Sequence, residues 1–162
     1  MKENMSTLVS SLVQCCREDD FSQSISLNTA NALCACVREK ASQLGVKAVV
    51  AVTDHSGHPV SVQCMEDAYI ASYDIALNKA FTVTALKMST EQLKPLAQPG
   101  GSLYGIQFTN GGKIVIFGGG VPLYNKEGRI VGGLGVSGGS EEQDTELGRF
   151  GGELLASCLK NI

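Results

Sequence analysis

Glycine placement constrains this chain more than any other feature. Fourteen of its 19 glycines, and two of its four prolines, fall between Gln98 and Ser140. Glycine at that density does not build a helix, because each one costs about 1 kcal/mol against alanine in a helix interior. Short β-rich runs lie between the glycines, at Lys113–Phe117, Val121–Tyr124 and Arg129–Val136. Asn110-Gly111-Gly112 predicts a hairpin turn between two runs, since asparagine and glycine tolerate positive φ. Asn125–Gly128 predicts a second turn. The stretch reads as an antiparallel meander whose glycines allow a close approach to the backbone.

The segments around the meander read mostly as helices. Leu8, Val9, Leu12, Val13 and Cys16 form one apolar stripe over residues 5–17, a short amphipathic helix. Glu18–Ser24 is a polar break. The predicted organisation is therefore a helix and linker over residues 1–24, followed by one domain over residues 25–162. The stripe fits packing on its own domain or a partner subunit, and equally a docking or targeting peptide. Leu27, Ala30, Leu33, Cys34, Val37, Ala41 and Leu44 recur at helical spacing, with Ser26 as N-cap and Gly45 past the end. Lys47–Thr53 and His58–Met65 read as two strands joined at Asp54–Gly57. Ala68–Lys87 is a helix of about five turns. Ser89 with Gln92, and Ser140 with Gln143, match the capping box of two further helices.

Strands outside βαβ alternation make an antiparallel sheet with helices packed on it. The expected fold is α+β, a three-layer sandwich around a sheet of about five strands. At 162 residues the chain is one domain by size and long enough to bury a core.

Composition excludes several functions. Net charge is −3 with no basic run, which argues against nucleic acid as a partner. No apolar run reaches the roughly 18 residues that suggest a membrane span. The first residues do not read as a secretion signal, so the expected location is the cytoplasm. The six cysteines form no C-x-x-C, and only two histidines are present, so the usual zinc spacings are absent. Buried cysteine then acts as a small hydrophobe. Gly135-Val136-Ser137-Gly138 lacks the spacing of a nucleophile elbow, and no phosphate-loop pattern occurs.

His55 and His58 stand three apart across a turn. They read either as solvated side chains or as ligands to a metal at a subunit contact, neutral imidazole being a common ligand. Asp74, Asn78 and Lys79 read as the solvated edge of a largely apolar helix, or as the rim of a pocket under the glycine-rich loops.

Four segments carry a resemblance. VVAVTDHSGHPVSVQCMEDA, SYDIALNKAFTV, LAQPGGSLYGIQFTNGGKIVIFGGGVPL and GGLGVSGGSEEQD resemble the GlcG/HbpS family, which includes the C-terminal domain of PduO proteins. The family pattern falls on Asp54, Gly57, Met65, Asn78 and Lys79. It continues through Gln98, Pro99, Gly100, Leu103, Tyr104, Gly105, Gly118–Gly120 and Pro122, and ends on Gly135, Ser137, Gly138, Gln143 and Asp144. The resemblance implies a helix-flanked antiparallel sheet, a homo-oligomer and, as in several members, haem. Its PduO-type members imply propanediol or corrinoid metabolism, corrinoid enzymes or a microcompartment shell as partners, and a place inside a bacterial microcompartment. No segment resembles the adenosyltransferase domain of PduO.

On that resemblance, the expected haem contacts are His58 as preferred axial ligand and His55 second, with Met65, Asn78, Lys79, Gln98 and Tyr104 around them. His58 is preferred because it opens a strand, where its direction is better set than at the turn. The implied function is haem binding or sensing, or an accessory role, without turnover. The alternative is an enzyme acting on a small molecule in a glycine-lined pocket, although no nucleophile–base pair favours it.

Overall fold

The computed structural model describes residues 4–162. Helix α1 spans Met5–Glu18 and α2 spans Leu27–Gln43. Strands β1 (Val49–Asp54) and β2 (Pro59–Cys64) form a hairpin. Helices α3 (Ile70–Leu86) and α4 (Thr90–Leu96) follow. Strands β3 (Gly120–Tyr124) and β4 (Ile130–Ser137) form a second hairpin, and α5 (Glu141–Lys160) ends the chain. The sheet is antiparallel throughout, in the order β2-β1-β4-β3.

The helices begin where their caps place them. Ser26, Ser89 and Ser140 each accept a hydrogen bond from the backbone N–H three residues on. At Ser89 and Ser140 the reciprocal glutamine bond completes the capping box. Asn4 caps α1 in the same way through the Thr7 N–H.

β1 is buried on both faces, which is why its sequence runs apolar without alternation. Val50 and Val52 join α2, α5, Leu134 and Val136 in the larger core. Val49 and Ala51 face the other way, against Ala76 and Ala80 of α3. The result is three layers: α2 and α5, the sheet, then α3. Helix α3 rests directly on the glycines of β4. A Cβ on Gly133 would meet Val83 at 2.7 Å, and one on Gly135 would meet the Ala80 nitrogen at 2.7 Å. Overpacking of that kind costs about 1–3 kcal/mol.

The sheet has four strands where about five are expected. The missing one is Lys113–Phe117, which is irregular, and Asn110–Gly112 is a 3-10 turn rather than a hairpin turn. Ile114 and Val115 are buried, and the Val115 N–H donates to the Thr82 hydroxyl of α3 at 3.0 Å. Their β-branched side chains serve packing on a helix instead of a ladder.

Helix α1 turns its stripe onto its own chain. Leu8, Leu12 and Cys16 are buried, and the helix meets α2 and α5. The segment after it is anchored. Phe21 is buried, and Asp19 accepts hydrogen bonds from the Phe21 and Ser26 N–H groups.

Helix α3 is apolar on nearly every side, yet Tyr69, Ile70 and Tyr73 at its start are exposed, Ile70 to 97%. No helix among the described residues is long and apolar enough to cross a membrane.

Candidate functional site

The β1–β2 turn carries both histidines. Gly57 has φ +82°, in the left-handed region, and a Cβ there would stand 2.9 Å from the Phe81 ring, so this position takes glycine for two reasons. Asp54 Oδ1 accepts the Ser56 N–H at 2.8 Å and the His58 N–H at 2.9 Å. Asp54 Oδ2 lies 3.3 Å from His58 Nδ1. Burial works to raise the Asp54 carboxyl. The N–H groups of His58 and Ser56, with the His58 ring, outweigh it and hold the carboxyl below its usual range.

The His58 side chain is 78% exposed. His55 is exposed as well. Its N–H donates to the Ser24 hydroxyl, and its Nε2 lies 3.1 Å from the Ser56 hydroxyl. Beside the turn, the Phe81 ring has the Lys113 ammonium over it, 5.6 Å from the centroid. This surface therefore combines imidazole, an aromatic face and a cation.

The other expected residues do not all gather there. Met65 sits past the far end of β2, about 20 Å from His58 by strand rise, and its sulfur accepts the Ala48 N–H at 3.3 Å. Within one chain the two cannot hold one iron. Asn78 is half-buried on α3. Gln98 is exposed and donates to the Lys94 carbonyl at 3.0 Å. Tyr104 is 66% exposed in the loop between α4 and β3.

Lys79 lies neither on a solvated edge nor at a pocket rim. It is fully buried, donating to the Val136 carbonyl at 2.8 Å and to Asp144 Oδ2 at 3.2 Å, with the Phe117 ring 5.0 Å away. Burial pushes the Lys79 ammonium down, against Asp144. It pushes the Asp144 carboxyl up, against Lys79 and the Gly139 N–H.

At Gly118–Gly120 the space beside the glycines is filled by the protein, while a cavity of about 480 Å³ lies beside Gly138 and Gly139. A Cβ on Gly119 would stand 2.6 Å from Lys79 Nζ, and one on Gly120 would stand 3.0 Å from both Thr90 and Val83. A cleft of about 720 Å³ lies elsewhere, lined by Glu91, Lys94, Glu141 and Arg149 among others. Two ion pairs cross it, Lys94 to Glu141 at 2.6 Å and Arg149 to Glu91, and Glu142, Glu146 and Glu153 line it outside those pairs.

All six cysteines are free thiols. Cys16, Cys34, Cys36 and Cys158 are buried, and Cys64 is exposed. No group of three histidine, cysteine or carboxylate side chains among the described residues is placed to hold a metal ion.

Sequence reasoning missed Asp54 as the acceptor of the His58 N–H, and Phe81 and Lys113 as neighbours of the turn at Gly57. The four-residue spacing of Asp54 and His58 across a glycine turn was the available signal for the first. Phe81 and Lys113 meet through the fold alone.

Fold and site together define a small α+β three-layer protein that presents an exposed imidazole on a hairpin turn. The family model described as "Haem degrading protein HbpS-like" matches residues 25–151, and the chain belongs to this family. It is 45% identical over 138 residues to an uncharacterized 15.0 kDa protein of the dhaT-dhaS intergenic region of Citrobacter freundii, covering 85% of this chain and 94% of that one. It is 43% identical over 109 residues to the corrinoid adenosyltransferase PduO of Salmonella typhimurium, covering 67% of this chain and only 32% of PduO. The crystal structure of a PduOC:haem complex superposes with a TM-score of 0.72 at 39% identity, over 75% of this chain and 88% of that one.

Proposed function

We propose that this chain binds haem through the β1–β2 turn, with His58 as the axial ligand. The carrying observation is the exposed imidazole of His58, 3.3 Å from Asp54, in a chain that shares its fold with the protein of a haem complex at 39% identity over 75% of this chain. The donor set fits the group. Imidazole is an established haem ligand. The Lys113 ammonium, now over the Phe81 ring, offers a partner for a propionate. Bound haem would supply an iron centre for sensing or ligand exchange. His55, beside His58 on the same turn, is the second candidate ligand. Asn78, on the helix that carries Phe81, would line the same side. Tyr104 and Gln98, on the exposed loop, would contact the group from a neighbouring copy, as would Met65.

The turn is convex, so one copy alone leaves a porphyrin largely in water. A second copy seated on the turn would cover it; the exposed Tyr69, Ile70 and Tyr73 lie at the other end of α3 and would serve a separate contact. Residues 25–162 would be the haem-binding domain and residues 1–24 its appended helix and linker.

The setting we infer is accessory to propanediol or corrinoid metabolism, in the cytoplasm and inside a bacterial microcompartment, with corrinoid enzymes or shell proteins as partners. The support is the likeness to the dhaT-dhaS region protein and to PduO. Delivery to a shell through α1 would require it to leave α2 and α5, where Leu8 and Leu12 are now buried.

Titration of the purified chain with haemin tests the binding. A saturable Soret band with a fixed haem-to-chain ratio is expected. A spectrum identical to free haemin would overturn the proposal.

A further inference from the structure

We infer that a cavity at the end of β2 binds a disulfide of an amino-acid or peptide thiol and exchanges it onto Cys64, with Arg38 holding the ligand's carboxylate. The cavity measures about 660 Å³ and is lined by Arg38, Lys47, Cys64, Met65, Glu66 and Asp67 among others. That size falls within the roughly 300–1,000 Å³ of small-molecule sites. It lies at the opposite end of β2 from His58 and is independent of the haem reading. Arg38 is the observation that asks for a ligand. It is half-buried on α2, and its buried Nε has no hydrogen-bond partner among the described residues. None of the ion pairs among the described residues includes it. Withdrawing an unpaired guanidinium from water is costly, and a carboxylate accepting two of its N–H groups side by side offsets that cost. Lys47 is already engaged, because Asp67, at a left-handed φ of +61°, holds its ammonium at 3.0 Å. Glu66 is exposed at the same cavity and supplies the opposite charge for a ligand ammonium.

Cys64 supplies the chemistry. It is the last residue of β2, a free thiol, and the exposed one of the six cysteines. Its backbone is fixed on both sides. Cys64 stands opposite Val49 in the β1–β2 register. The next residue, Met65, is tied to Ala48, donating its N–H to the Ala48 carbonyl at 3.0 Å and accepting the Ala48 N–H on its sulfur at 3.3 Å. The thiol therefore stands at the cavity wall on rigid backbone. The step is a thiol–disulfide exchange. Cys64 gives its proton to water, and the thiolate attacks one sulfur of the ligand. The bond between the two ligand sulfurs breaks as the bond to Cys64 forms. The departing half leaves as a thiolate and takes up a proton. Cys64 is oxidised to a mixed disulfide, and half of the ligand is reduced to its thiol.

The test follows the intact mass of the full chain with two reagents. Oxidised glutathione carries the carboxylates and ammonium groups, and bis(hydroxyethyl) disulfide carries neither. Expected for the wild type is a labelling rate that saturates with oxidised glutathione and stays linear with the neutral reagent. Arg38→Gln removes the charge while keeping an amide. It should slow the charged reagent about 10-fold at low concentration, the loss of one charge-assisted hydrogen bond, and leave the neutral rate unchanged. Cys64→Ser should abolish the mass gain. Should Arg38→Gln fail to fold, raised salt makes the same comparison on the wild type, slowing the charged reagent alone. An equal response of the two reagents to Arg38→Gln or to salt would overturn the carboxylate site, as would a rate with oxidised glutathione that never saturates. A mass gain that survives Cys64→Ser would overturn the assignment of the thiol.

Discussion

Lys79 Nζ stands 3.2 Å from Asp144 Oδ2, and Lys79 is fully buried while the Asp144 side chain keeps only 6% exposure. The pair joins the middle of α3 to the first turn of α5 across the end of β4, where the Val136 carbonyl takes a further bond from the ammonium. Burial shifts both groups toward their neutral forms, so desolvation weighs more than attraction here. Removing one member of such a pair leaves an uncompensated buried charge, at a cost of about 3–5 kcal/mol. Asp144→Asn is therefore expected to lower the urea unfolding midpoint strongly. Lys79→Met combined with Asp144→Asn should recover part of that loss, because no lone charge remains. Equal destabilisation by the single and double variants would contradict this account.

Much of this fold was legible locally. Serine caps, apolar stripes and the apolar run of β1 are properties of a few neighbouring residues. The failures are non-local. Lys113–Phe117 has strand composition, but its backbone meets Thr82 rather than another strand. The glycines at 118–120 read as an opening for a ligand, yet Lys79, Thr90 and Thr145 fill the space where side chains would go. Lys79 and Asp144 lie 65 residues apart, and no spacing rule links them. At the candidate site, the two histidines were legible as the available imidazoles. The bond from the His58 N–H to Asp54 depends on the turn's folded geometry.

Glu141 gives a pH dependence of defined sign. Its carboxyl is held below the usual range by the Lys94 side chain first and the Gly118 N–H second. A carboxyl depressed in the folded state contributes stability that is fully present above its unfolded value, near 4.3. That contribution is lost as pH falls through the lower folded value. The stability difference between wild type and Glu141→Gln should be constant at neutral pH and shrink below about pH 4. Denaturant melts between pH 3 and 7 measure this, and a difference independent of pH would contradict it.

Thiol reactivity should be greatest at one exposed position in the native chain, with half-buried Cys15 held back by burial and by Glu18 and Asp19. Burial, with neighbouring thiols and Asp19, pushes Cys16 up to about 12, and burial pushes Cys36 up to about 12 as well. Reaction needs the thiolate and access to it. A disulfide reagent at pH 8 should therefore modify exposed Cys64 first, and all six cysteines only after unfolding. Loss of the fast phase in Cys64→Ser is the expected control. A fast phase that survives that substitution would place the accessible thiol elsewhere.

The central claim is that a histidine of the β1–β2 turn holds haem iron. The direct measurement is the absorbance spectrum of haemin-loaded wild type beside that of a His55→Ala, His58→Ala double variant. These are the only two histidines in the chain. The account predicts a Soret maximum characteristic of histidine ligation in the wild type, its loss in the double variant, and an unchanged far-ultraviolet circular dichroism. An identical Soret band in both proteins would contradict it.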